Sequence, residues 1–245
     1  MENVKSVAKN AKSLKGVKNV KSEGQGVKKV VDAEKVAGTG PFQVDLKSLT
    51  TRNDKLSIFV VDEYMSLLER ADNFPASTLL LASSNWMIFD RCVDEKDRYE
   101  KLMNFVDKAE MDGVERILWP SFCSKVRHFA VIEILLRDGL IRVYDSIEGC
   151  QGGWIHKGCF MFELLEILCP GKEFQVKYVA CRQQGNGTDC GVFAMANTRS
   201  LLFGRDVNGE GMAGSHMGKN KEKAVMELRT KFAKELTSLR LSEWW

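Results

Sequence analysis

The spacing of apolar residues divides this chain into helical and extended segments. From Phe59 to Ala71, the residues Val60, Val61, Tyr64, Leu67 and Leu68 recur at helical intervals, which predicts an amphipathic helix. Asp94 to Ala109 predicts a second helix, and Val114 to Leu118 a strand. Phe129 to Leu136 and Leu140 to Tyr144 flank Arg137-Asp138-Gly139, which predicts a β-hairpin. Helical spacing returns over Gly158 to Leu168 and is stopped by Pro170-Gly171. Phe174 to Ala180 predicts a strand. A helix is predicted from Cys190 to about Phe203, and a charged amphipathic one from Lys221 to Leu239. Leu79-Leu80-Leu81 and Trp86-Met87-Ile88-Phe89 are too short to assign. Helices come first, then strands interrupted by helices, so the expected class is α+β with a partly antiparallel sheet.

Residues 1–40 break this pattern. They hold nine lysines against four acids, lack aromatic residues, and repeat Asn-Val-Lys-Ser at 3–6 and 19–22. We expect residues 1–44 to be a disordered basic tail, and 45–245 to be the folded domain. The tail reads either as a solvated leader or as an arm that contacts nucleic acid. The whole chain of 245 residues carries a net charge of only +3, and its 44% hydrophobic content supports a substantial core. Seven cysteines without a Cys-x-x-Cys pair argue against a zinc site of standard spacing and predict free thiols in a reducing, intracellular compartment. No apolar run approaches the roughly 20 residues that span a bilayer, so no membrane partner is expected. The lysine-rich start lacks the apolar region of a secretory signal. Gly214-Ser215-His216-Met217 matches the remnant of a cleaved tag, but its place in a Gly-rich loop before a terminal helix reads as native.

The candidate chemistry lies in Gln184-Gly185-Asn186-Gly187-Thr188-Asp189-Cys190-Gly191. Cys190 opens a predicted buried helix, and the positive end of a helix dipole favours the nucleophilic thiolate. Gln184 supplies an amide donor of the kind an oxyanion hole uses. Of the three histidines, His128 opens the strongest strand, whereas His156 precedes a helix and His216 lies in the Gly-rich loop. A base need not be near its nucleophile in sequence. Asp145 ends the second hairpin strand and could hold the imidazole tautomer. A tight turn centred on Asp138-Gly139 pairs position 132 with 145, so bringing His128 beside Asp145 requires a bulge or a wider loop. These groups suffice for thiol acyl transfer with neither metal nor organic cofactor.

His128, Asp145 and the Gln184–Gly191 stretch, in that chain order, resemble the ubiquitin-like-protein protease family, the SUMO-protease and adenovirus-protease group. Tyr144-Asp145-Ser146 is similar to its strand end after the hairpin. Lys55 to Met65 resembles its Trp-Leu-Asn-Asp helix opening, Ile117-Leu118-Trp119-Pro120 the strand before the histidine, and Met226-Glu227-Leu228-Arg229 its C-terminal helix. The resemblance implies a papain-like α+β fold with a central mixed sheet flanked by helices and the nucleophile at a helix N-terminus. It implies a cysteine endopeptidase with His128, Asp145 and Cys190 as triad and Gln184 as oxyanion donor. The protein substrate would be a ubiquitin-like modifier, cut after glycine, or a viral or mobile-element polyprotein. The same fold and triad also serve acetyl transfer, and a catalytically vestigial binding module is a further alternative. The family's two tryptophans that form a channel for a Gly-Gly tail are replaced by Phe129 and Lys55. Trp86, Trp119 and Trp154 are the candidates to take their place.

Overall fold

Residues 46–92, 94–108, 111–147, 159–208 and 221–242 are described in the computed structural model, and they build a mixed sheet covered on both faces by helices. The basic segment 1–44, Trp154, His156 and the 214–217 tetrapeptide lie outside the described residues.

A short α1 (Lys47–Thr50) precedes α2 (Ile58–Glu69), whose first turn is capped by the Ser57 hydroxyl accepting from the Val60 amide at 3.3 Å. Then come β1 (Thr78–Leu80), α3 (Ser83–Asp90) and α4 (Glu95–Lys108). The antiparallel centre is β2 (Arg116–Cys123), β3 (His128–Leu135) and β4 (Leu140–Tyr144). A crossover through α5 (Phe160–Leu168) leads to β5 (Gln175–Tyr178). Two longer helices, α6 (Cys190–Leu202) and α7 (Lys221–Ser238), follow. The strand order is β1-β2-β3-β4-β5, with parallel pairs at the two edges and antiparallel pairs between them.

Residues 128–134 of β3 are all buried, because helices cover both faces of the sheet. Leu118, Phe129, Val131 and Tyr144 meet α2, α6 and α7. Ile117, Trp119, Ile132, Ile134, Ile141 and Val143 meet α3, α4 and α5. Each fully buried Ile or Leu of this kind contributes about 1.5–3 kcal/mol. The two segments that pattern alone leaves unassigned are β1 and α3. The carboxylate of Asp62, on α2, accepts from the Ser83 and Ser84 amides at 2.6 and 3.1 Å. It caps α3 from a distant helix, so no local signal marks that helix start.

The β3–β4 turn differs from a tight two-residue connection. Leu135 pairs with Leu140, so residues 136–139 form a four-residue loop. Gly139 sits at φ 63°, and a Cβ there would meet the Glu173 carbonyl oxygen at 2.6 Å. Gly139→Ala is therefore expected to cost about 1–3 kcal/mol, measured by denaturant unfolding. An unchanged midpoint would show that the turn can reshape freely.

Candidate active site

The wider turn sets the position of the first two groups. Val131 pairs with Tyr144, so continuing the register places Asp145 opposite Ala130. His128 lies two residues along the same face, a diagonal neighbour within side-chain reach. No bulge is needed. His128 Nε2 lies 2.7 Å from Asp145 Oδ1, and both side chains are buried. The same carboxylate oxygen accepts from the Ile147 amide at 2.9 Å.

Cys190 is the first residue of the 13-residue α6 and is 4% exposed. Its thiol lies within hydrogen-bonding reach of the His128 ring. With Nε2 engaged by Asp145, Nδ1 is the nitrogen left to face the sulfur. Burial pulls the His128 pKa down, but hydrogen bonds to Asp145 and Cys190, with the charges on both partners, push it up to about 9. The two partners thus favour the protonated form of the ring.

The loop before Cys190 is organised by its own polar side chains. Asn186 Oδ1 accepts from the Thr188 amide at 3.0 Å and from the Asp189 amide at 3.1 Å. Its Nδ2 donates to Asp189 Oδ2 at 2.7 Å. Such local bonds offer the chain a turn in place of a longer helix. Gln184 is tied to the strand end that carries Asp145: its amide N–H donates to the Ser146 carbonyl at 2.8 Å, and its Oε1 accepts from the Ser146 hydroxyl at 2.6 Å. Gln184 Nε2 donates to the Asn186 carbonyl at 2.5 Å. Gly191 packs closely on Leu56: a Cβ there would stand 3.0 Å from Leu56 Cβ, so the Leu56 side chain would have to shift.

Asp189 pairs with a buried arginine. Its Oδ1 accepts from Arg229 Nε at 3.0 Å and Nη2 at 2.5 Å, and Arg229 is fully buried. Arg229 Nη1 also donates to the Ser48 carbonyl at 2.7 Å, and Nη2 to the Asp54 carbonyl at 2.6 Å. One guanidinium thus joins the start of α6 to α7 and to the segment around α1.

Of the four residues the sequence singles out, His128, Asp145 and Cys190 come together, and Gln184 is anchored beside Asp145. Arg229 and Ser146 were not singled out. Arg229 enters the sequence reading only within the Met226–Arg229 segment of the charged C-terminal helix, although Asp189 in the motif is a carboxylate in need of a cation. Trp86 and Trp119 do not take the place of the missing tryptophans: both are buried on the α3–α5 face, and Trp119 Nε1 donates to the Ala82 carbonyl at 3.1 Å. Phe129 is buried against Phe122 with ring centroids 4.7 Å apart, whereas Lys55 is exposed. The described cysteines Cys92, Cys123, Cys159, Cys169, Cys181 and Cys190 are free thiols. Among the described residues no three His, Cys, Asp or Glu side chains cluster to hold a metal ion, and no helix is long and apolar enough to cross a membrane.

The fold is that of a papain-like cysteine-type peptidase. Residues 93–241, more than half of the chain, match the Ulp1 protease family, C-terminal catalytic domain, and the chain belongs to that family. Among solved structures it is similar to the C-terminal Ulp1 protease domain in complex with Smt3, the yeast ortholog of SUMO. That match has 19% identity and a TM-score of 0.57 over 79% of this chain and 81% of the other. It is also similar to the Chaetomium thermophilum Ulp1-like SUMO protease catalytic domain, with 17% identity and a TM-score of 0.59 over 80% of this chain and 77% of the other. At these identities the likeness is one of fold. No curated protein sequence matches the chain.

Proposed function

We propose that this peptidase cleaves the bond after the C-terminal glycine of a ubiquitin-like modifier, with Cys190 as nucleophile, His128 as proton carrier, Asp145 as its orienting acid and Gln184 as oxyanion donor. The observation that carries this reading is the buried His128 ring held between the Asp145 carboxylate and the Cys190 thiol. The modifier class is suggested by the related structures, which are SUMO proteases.

In the first half-reaction the Cys190 thiolate attacks the scissile carbonyl carbon. The C–S bond forms and the carbonyl electrons move to oxygen, where the Gln184 amide and the Cys190 backbone N–H donate. The oxyanion collapses, the C–N bond breaks, and the His128 imidazolium gives its proton to the leaving amine. In the second, the neutral imidazole takes a proton from water, the hydroxide attacks the thioester, and the C–S bond breaks to return the thiolate.

The raised His128 pKa fixes the basic limit. Acylation needs the imidazolium, so kcat/KM should fall as pH rises through about 9, well above the ordinary histidine value of 6.5. The sign for stability is the same. A group whose folded pKa exceeds its unfolded value stabilises fully below 6.5, and that contribution is lost as pH rises through about 9. A pH–rate profile with its basic limb near 6.5 would remove the ion pair from the mechanism.

The substrate class is tested by hydrolysis of C-terminal aminocoumarin amides of SUMO, ubiquitin and related modifiers. Turnover of at least one is expected. The panel must be broad, because Lys55 and Phe129 replace the tryptophans of the SUMO-protease channel. Silence across it would overturn the modifier reading and point to polyprotein cleavage.

A further inference from the structure

We infer that Ser146 is a positioning residue that aims the Gln184 amide; this rests on the oxyanion role proposed above for Gln184. A glutamine amide is nearly symmetric in shape, and its two ends have opposite chemistry. With the oxygen end turned to a developing oxyanion, Gln184 would repel it. Two neighbours decide the orientation. The Asn186 carbonyl can only accept, so the end facing it at 2.5 Å is the NH2. The end facing Ser146 is then the oxygen, and the Ser146 hydroxyl must donate to it, at 2.6 Å.

The two tethers are not equivalent. Asn186 is exposed and belongs to the loop, where water competes for its carbonyl. Ser146 is 2% exposed, so its hydroxyl has no water to turn to. Ser146 also binds Gln184 through the main chain, accepting from the Gln184 amide at 2.8 Å. The amide nitrogen of the side chain carries two hydrogens; one goes to Asn186, and the second has no partner among the described residues. That second hydrogen is the one available to substrate.

Ser146 follows Asp145 directly in the chain. Asp145 Oδ1 fixes the His128 ring, and the Asp145 carbonyl accepts from Gln183 Nε2 at 2.9 Å and from the Cys181 thiol at 3.2 Å. One dipeptide at the end of β4 thus orients the base with its first residue and the oxyanion donor with its second. The spacing of proton carrier and oxyanion donor is thereby set by two consecutive residues just past β4.

The test is a double-mutant cycle of Ser146→Ala and Gln184→Ala, followed with the aminocoumarin amide of SUMO or ubiquitin, whichever the unaltered chain hydrolyses faster. Rates are expressed per titrated active thiol, so that a misfolded fraction does not count. Gln184→Ala should lower kcat by about 10²–10³-fold. Ser146→Ala should lower kcat by about 3- to 10-fold, the size of one lost hydrogen bond, with KM unchanged. Added to Gln184→Ala, Ser146→Ala should change kcat by less than about twofold. If the two losses multiply in the double variant, Ser146 acts elsewhere and only this inference falls. A loss in KM alone, or no loss in the single Ser146 variant, would overturn it equally. If Gln184→Ala keeps full activity, or no amide of the broader modifier panel is hydrolysed, the function proposed above fails and this inference with it.

Discussion

Replacing Cys190 with alanine is expected to lower kcat by about 10⁴–10⁶-fold, the loss seen when the nucleophile of a triad is removed. The size follows from what remains. His128 would still be oriented by Asp145, and Gln184 by Ser146, so binding and the oxyanion donors survive. Without the sulfur no acyl–enzyme can form, and the reaction must wait for direct attack by water. The change is small in volume and sits at the first residue of α6, so the fold should persist. Affinity for the uncleaved modifier, measured by calorimetry, should stay within a few-fold. A residual rate within tenfold of the original would assign the chemistry to another residue.

Arg229→Ala should have the largest effect on stability, about 3–5 kcal/mol. Arg229 is buried, and its guanidinium serves the Asp189 carboxylate and the carbonyls of Ser48 and Asp54. Truncation leaves the cation's place empty beside a buried carboxylate and strands two main-chain acceptors. For a domain of this size the expected fall in Tm is on the order of 10 °C, read by thermal denaturation. Arg229→Lys keeps the charge but loses the planar fork, so it should recover part of the loss and not all of it. The effect should reach the chemistry, because Asp189 is the residue before Cys190 and anchors the loop through Asn186. A Tm shift below about 2 °C would mean that Asp189 finds another partner.

The sequence marks the proposed reacting groups more clearly than it marks their supports. Cys190 is visible because a cysteine before glycine opens an apolar helix, and His128 because it opens the most apolar strand. The hairpin is legible from Asp138-Gly139, but its register is not. The closing pair is Leu135 with Leu140, set partly by the Gly139 turn docking on β5 through the Gln175 amide at 2.8 Å. That contact joins residues far apart in sequence and leaves no local pattern. For the same reason α3 escapes notice, since its cap is Asp62 on α2. Arg229 is one of many charges on an amphipathic helix, and only the folded chain shows that it pairs with Asp189 in the interior. Trp86 and Trp119 read as candidates to replace the channel tryptophans. Their burial follows from the second helical layer, formed by α3, α4 and α5.

The most direct measurement identifies the cysteine that reacts. The unaltered protein is incubated with SUMO and ubiquitin carrying an electrophile in place of the C-terminal carboxylate, then digested and examined by mass spectrometry. The expected result is a single adduct on Cys190, absent in Cys190→Ala. Cys181, nine residues earlier in the chain, should stay unmodified, because burial and the nearby Asp145 charge push its thiol up to about 12. An adduct on a different cysteine, or a protein left unmodified by every such modifier, would contradict Cys190 as the nucleophile of a ubiquitin-like-modifier protease.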